Sequence, residues 1–155
     1  MAGLRISIED PAQPDIVRLL QDGEDHSAAL YPAESNHHLP LDALRSREVR
    51  FLVVREDGCA LGTGALVLDG DWAELKRMWV AAAARGRGIS KLVLAELEAI
   101  ARAAGIRWLR LETGVVSHAA LRLYEGAGFR RIEAFADYRE DPLSVFMEKD
   151  LALTP

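Results

Sequence analysis

Cysteine is almost absent from this chain of 155 residues, and the one present, Cys59, cannot close a disulfide within it. Nothing in the sequence therefore asks for an oxidising compartment, and a cytoplasmic location is expected. Long apolar runs are lacking too. The best candidate, Ala99 to Leu109, is broken by arginines and a glycine. Neither a membrane span nor a secretory segment is expected, and the mature chain is expected to start near Met1. Positive charge is in deficit: 19 Lys and Arg against 24 Asp and Glu give a net charge of -5. A dense basic face for nucleic acid is thus not expected, and the balance leans toward cationic or neutral substrates. Repeats, low-complexity tracts and linkers are also missing, so residues 1–155 are expected to form a single domain.

What is present is a globular mixture with half of its residues hydrophobic. Leu4, Ile6 and Ile8 alternate with polar residues as in a half-buried strand. Pro11 and Pro14 end it, and Pro14 suits the first turn of a helix. The apolar stripe that follows, Ile16 to Leu30, is interrupted at Gly23 and fits one helix or two. Tyr31 to Pro40 is rich in turn formers and reads as a loop bordering a site, with a short helical turn from Leu41 to Leu44. Three strands then follow as a meander: Val49 to Val54, Ala60 to Leu68 and Trp72 to Val80, with turns at Asp57-Gly58 and Asp69-Gly70. Cys59 reads as a small buried hydrophobe with no catalytic role. Strand alternation puts Glu74, Lys76, Met78 and Val80 on one face and Leu75, Arg77 and Trp79 on the other.

The second half alternates helix and strand. Behind Arg85-Gly-Arg-Gly-Ile-Ser90 comes a helix with a buried stripe of Ile89, Leu92, Val93, Leu97, Ile100, Ala101 and Ala104, stopped at Gly105. Trp108 to Glu112 is the next strand. Ser117 is placed to cap a helix that buries Ala120, Leu123 and Tyr124. Phe129 to Ala134 and Leu143 to Lys149 read as closing strands. The order predicts an α/β, or mixed α+β, domain built on one sheet.

A strand, a glycine-rich turn and a helix opening behind it make an anion site, because unpaired amides and the positive helix end converge there. Arg85 and Arg87 add charge suited to a diphosphate. The same residues also suit a plain tight turn with solvated arginines. A Walker loop is ruled out, since Ser90 precedes Lys91 and no Gly-Lys-Ser/Thr end exists. A dinucleotide fingerprint fits poorly, with Lys91 standing where its third glycine belongs.

With these residues the sequence resembles the GNAT superfamily of N-acetyltransferases, whose acetyl-CoA loop reads Gln/Arg-x-x-Gly-x-Gly/Ala. Arg85 to Ser90 follows that pattern, with Ser90 in place of the last small residue. Ala120-Leu-Arg-Leu-Tyr124-Glu-Gly-Ala-Gly-Phe129 resembles the family's Ala-x-x-Leu-Tyr-x-x-x-Gly-Phe segment, and Ser117 stands where a polar residue usually precedes it. A bacterial subgroup carries similar Tyr31-Pro-x-Glu-Ser35, Glu74-x-Lys-Arg-Met78 and Leu111-Glu-Thr-Gly114 segments. The resemblance implies a single, mostly antiparallel sheet flanked by helices, with a splayed parallel pair holding acetyl-CoA. It implies acetyl transfer to a primary amine of a small molecule or peptide by direct attack. The cofactor contacts would be Met78, Trp79, Val80, Arg85, Gly86, Arg87, Gly88, Ile89, Ser90 and Ser117.

Such a transfer needs a base, because an alkyl ammonium has a pKa of about 10.4. Glu74 is the first candidate and Glu112 the second; Glu74 equally suits a strand pair with Lys76 or Arg77. The motif places Tyr124 to protonate the departing thiolate, whereas periodicity alone makes it a core tyrosine. His37 and Glu112 are candidate substrate contacts, while His37 and His38 show no ligand set of metal spacing. Asp137-Tyr138-Arg139 reads as surface loop. The closing strands and Trp72 are candidates for a homodimer surface. A non-catalytic acetyl-CoA-binding regulatory module is the alternative reading.

Overall fold

Period-two patterning and tight turns build one seven-stranded sheet in the computed structural model, which describes residues 3–153. The expected start at Met1 lies outside the described residues. The strands are β1 (Leu4–Ile8), β2 (Val49–Glu56), β3 (Cys59–Asp69), β4 (Trp72–Val80), β5 (Trp108–Gly114), β6 (Arg130–Ile132) and β7 (Ser144–Asp150). Their spatial order is β1-β2-β3-β4-β5-β7-β6. Neighbours are antiparallel except β4 and β5, which run parallel. The helices are α1 (Pro14–Leu30), α2 (Leu41–Leu44), α3 (Ile89–Ala103) and α4 (His118–Gly126). Among the described residues no helix is long and apolar enough to cross a membrane.

Both faces of the sheet are covered. On one, Ile89, Val93 and Leu97 of α3 meet Leu52, Leu66 and Leu75, joined by Leu121 and Tyr124 of α4. On the other, Ile16 and Leu20 of α1 and Leu44 of α2 cover Phe51, Val53 and Ala65. Each fully buried side chain of this kind contributes about 1.5–3 kcal/mol relative to exposure.

Several local details differ from the sequence reading. α1 is one helix of 17 residues. Gly23 does not break it but lets it approach the sheet, since a Cβ there would lie 3.3 Å from the Trp79 ring. The α3 stripe buries Leu94, with Leu92 half-buried and Ala104 exposed past the helix end. In α4, Leu121 is buried, while Ala120 and Leu123 are half-buried. β6 is only three residues long, and Cys59 is exposed at the mouth of the Asp57-Gly58 turn rather than buried. The Trp72 ring already packs edge-on against Phe135 and beneath the Arg110 guanidinium.

The decisive departure lies in β4. Thr63 faces Trp79 and Ala65 faces Lys76, so Gly64 alone opposes both Arg77 and Met78. This is a β-bulge, with Arg77 in the left-handed region at φ 56. Beyond it the expected alternation reverses. Met78 joins Leu75 on the α3 side, in space left by Gly64, where a Cβ would sit 2.8 Å from its sulfur. Arg77 points with Lys76 toward the 31–40 segment, donating to the Leu39 carbonyl at 3.0 Å and to Glu24 at 3.2 Å. The Arg77 carbonyl accepts a 2.8 Å hydrogen bond from the Thr63 hydroxyl, itself 1% exposed. β4 and β5 are paired only from Trp72–Trp108 to Glu74–Arg110 and then diverge.

A second anchor joins β1, α1 and the β2–β3 hairpin. Arg55 donates to Glu9 at 3.0 Å, to Asp15 at 2.7 Å and to the Gly58 carbonyl at 2.9 Å. Asp15 is held below its ordinary pKa chiefly by that Arg55 bond. On Glu9, burial pushes the pKa up, but the bonds from Arg55, Gln13 and Ser7 and the charge of Arg55 bring it below its ordinary value.

Two outcomes are expected. Thr63→Val, nearly isosteric, leaves the Arg77 carbonyl unpaired and should cost about 1–3 kcal/mol in urea unfolding; an unchanged midpoint would show that the bulge does not rely on this bond. Because the Glu9 and Asp15 pKa values are depressed in the folded state, their contribution is present above about pH 4 and lost as pH falls through the folded values. The stability difference between wild type and Arg55→Met should thus be largest near neutrality and shrink as the pH falls below the ordinary carboxylate range. A difference independent of pH would mean that Arg55 acts through packing alone.

Candidate active site

The divergence of β4 from β5 opens a cleft of about 1020 Å³, bounded by α1 and the 31–40 segment on one side and by the Arg85–Ser90 turn and α4 on the other. From Leu75 onward β4 has no pairing with β5, so its facing backbone groups, including those at Met78, Trp79 and Val80, border the cleft instead of a strand.

One end is built for an anion. Gly86 and Gly88 take φ values of 80° and 79°, a left-handed backbone that favours glycine, and Gly88 is the N-cap of α3. The ladder of α3 begins with the Leu92 amide bonding the Gly88 carbonyl, which leaves the amides of the first turn ahead of it. Ile89, Ser90 and Arg85 line the cleft, the Arg85 guanidinium lying 4.9 Å from the Trp79 ring centroid. Arg87 does not line it. It turns outward into a two-bond pair with Glu56 at 3.0 and 2.7 Å, which holds the Glu56 carboxyl below its ordinary range. Lys91 and Arg122 line the cleft without having been singled out from sequence. Their signals were position in the first turn behind the glycines and inside the Leu-Arg-Leu-Tyr segment. Open amides, glycines with clear space around them and three cleft-facing cations are what a coenzyme A diphosphate requires.

Tyr124 reaches the middle of the cleft from α4, packed edge-on to Phe129 at 5.6 Å. It is 5% exposed, and burial pushes its phenol pKa well above the ordinary tyrosine value, so the hydroxyl stays protonated. Ser117 occupies the N-cap of α4 but makes no capping bond. Its hydroxyl lies 2.8 Å from that of Tyr31, which also accepts the Val116 amide at 3.1 Å. Gly114 permits this strut, since a Cβ there would overlap the Tyr31 hydroxyl at 1.9 Å.

At the other end, His37 Nδ1 lies 2.9 Å from a Glu112 carboxylate oxygen that also accepts the Ser144 hydroxyl at 2.7 Å. Both His37 and Glu112 line the cleft. Burial, then the charge of Arg77, holds the His38 pKa below its ordinary value. Glu74 lies behind this layer. It accepts the Tyr138 hydroxyl, pairs with Lys76 at 3.3 Å, is 9% exposed and is not among the cleft-lining residues. Tyr138 is therefore no plain surface-loop residue: its ring packs against Phe135 at 5.1 Å, Phe146 at 5.5 Å and His37 at 5.3 Å. The Phe135 and Tyr138 spacing in an otherwise polar stretch was the signal for it.

Comparison with known proteins accords with this geometry. The model of the Acetyltransferase (GNAT) family matches residues 14–129. An IAA acetyltransferase of Azospirillum brasilense is 43% identical over 153 residues, 97% of this chain and 100% of the relative. YsnE of Bacillus subtilis, described as an uncharacterized N-acetyltransferase, is 38% identical over 96% of this chain and 100% of its own length. A crystal structure from Klebsiella pneumoniae assigned to the acyl-CoA N-acyltransferases superposes with a TM-score of 0.82 at 36% identity, covering 97% of this chain and 99% of that one. The PaiA N-acetyltransferase of Thermoplasma acidophilum, solved with coenzyme A, shares the fold with a TM-score of 0.73 at 21% identity over 95% and 98% of the two chains. With one family model spanning most of the chain and relatives matched end to end, the chain belongs to the Acetyltransferase (GNAT) family and is an acetyl-CoA-dependent N-acetyltransferase.

Proposed function

We propose that the chain works as one catalytic domain that moves the acetyl group of acetyl-CoA onto a primary amine of a small molecule or peptide by direct attack. The observation that carries this reading is the meeting, in one cleft, of the α3 anion site, the Tyr124 hydroxyl and the His37–Glu112 pair.

Bound acetyl-CoA supplies an activated carbonyl carbon and a thiolate leaving group. The amides opening α3, with Arg85, Lys91 and Arg122, hold its phosphates. The open edge of β4 from Met78 to Val80 aligns the pantetheine arm and offers amide donors to the carbonyl oxygen as it gains charge. We assign the base to Glu112 acting with His37, in place of Glu74, whose carboxylate is already bound by Tyr138 and Lys76. With Nδ1–H donated to Glu112, His37 Nε2 accepts the proton that the amine must lose as its lone pair attacks. As the carbon–sulfur bond breaks, Tyr124 gives its proton to sulfur. Ser117 serves through Tyr31, holding the β5–α4 junction against α1.

The relatives' names bear on the acceptor only in part. The Azospirillum relative is named for IAA, and its 43% identity makes IAA the first acceptor to try.

Thiol release against a panel of amines, with acetyl-CoA affinity measured by calorimetry, tests the reading. Tyr124→Phe should lower kcat about 10²-fold and leave acetyl-CoA affinity within about twofold. Lost binding would instead make Tyr124 structural, and binding without release from any amine would favour a non-catalytic sensor. Arg85→Ala with Lys91→Ala should weaken acetyl-CoA binding at least about tenfold, whereas Arg87→Ala should change it little. Equal losses in the two variants would return Arg87 to the phosphate site.

A further inference from the structure

At the His37 end of the cleft sits a cluster that the chemistry above leaves unused: Lys76, which lines the cleft, with Glu74 and Tyr138 behind it. Lys76 Nζ donates to the Tyr138 hydroxyl at 2.7 Å and to the His37 carbonyl at 2.8 Å, and pairs with Glu74 at 3.3 Å. The Tyr138 hydroxyl in turn donates to Glu74. The Lys76 and Glu74 side chains are 14% and 12% exposed, so both charges have left most of their water. A pair buried to this degree gains little stability over two well-packed apolar side chains. What the cluster does is hold His37 twice. Lys76 fixes its backbone carbonyl, and the Tyr138 ring meets its imidazole edge-on at 5.3 Å. His37 itself stands on an irregular stretch just before Pro40, with its side chain 38% exposed even with these contacts in place.

We infer that Lys76, buttressed by Glu74 and Tyr138, is a positioning residue that holds His37 at Glu112. The inference rests on the His37–Glu112 reading above. Lys76 is already engaged, donating to the Tyr138 hydroxyl and the His37 carbonyl and paired with Glu74. Burial, reinforced by the bond to Glu74, pushes the Tyr138 pKa up, so its phenol remains a neutral donor at any working pH. The groups facing His37 are Glu112 from β5, Lys76 from β4, and Tyr138 and Asp141 from the stretch before β7. Displacing a base by about 1 Å can cost on the order of 10²-fold in rate, which sets the expected effect.

The test is a double-mutant cycle on the full chain, using an amine that the wild type acetylates and calorimetric affinity for acetyl-CoA. Lys76→Met should lower kcat about 10²-fold with acetyl-CoA affinity within about twofold, and Lys76→Arg should recover a large part of that loss. The combined Lys76→Met, His37→Ala protein should be no slower than His37→Ala alone, within about threefold, because a residue cannot position a side chain that is gone. Losses that multiply would overturn the inference while leaving the base assignment standing. A silent His37→Ala would overturn the base assignment itself, and the inference with it. If Lys76→Met fails to bind acetyl-CoA, Tyr138→Phe decides: an approximately tenfold loss, absent in the His37→Ala background, supports positioning, and a loss that persists there refutes it.

Discussion

The bulge at Arg77 is the constraint from which the site follows. One extra residue in β4 turns Met78 toward α3, brings Arg77 onto the opposite face beside Lys76, and accompanies the strand's departure from β5 after Glu74. A non-glycine residue at positive φ costs of order 1–3 kcal/mol, so it persists only where its surroundings specify it. Here Thr63 takes the Arg77 carbonyl, Leu39 and Glu24 take its guanidinium, and Gly64 leaves room for Met78. Remove the bulge and Arg77 would turn away from the face of Lys76, losing Leu39 and Glu24. The acceptor end would lose its frame.

The two ends of the cleft handle charge differently. At the α3 end, Arg85 and Lys91 stand with the open amides of a helix N-terminus, a concentration of positive potential that awaits phosphates. At the other end, charge is consumed internally: Lys76 by Glu74, and Arg77 by Glu24. Glu112 faces the cleft, engaged with His37 and the Ser144 hydroxyl. An end rich in positive charge and an end of paired charges thus coexist in one cleft of a chain whose net charge is -5.

Glycines do two distinct jobs around this cleft. Gly86 and Gly88 are needed for their left-handed backbone, with open space beside them. Gly23 and Gly114 are needed for closeness, against Trp79 and Tyr31 respectively. Both kinds look alike in a sequence, which is why Gly23 read there as an interruption of the first helix.

Local spacing determined much about this protein by itself. Strand alternation, the Asp57-Gly58 turn, the Arg85–Ser90 loop before an apolar stripe and the Leu-Tyr segment each depend on residues a few positions apart, so they are legible as pattern. Alternation failed at Arg77, because a bulge changes which face each later residue takes and leaves no periodic trace. Partnership over distance was decided only in three dimensions. Arg87 left the phosphate loop for Glu56, 31 positions away, and Tyr138 left the surface for Glu74, 64 positions away. Such pairs form because strand register and packing bring together groups that are far apart in the chain. Spacing carries no record of either, so the sequence names the chemistry's candidates and the tertiary structure selects among them.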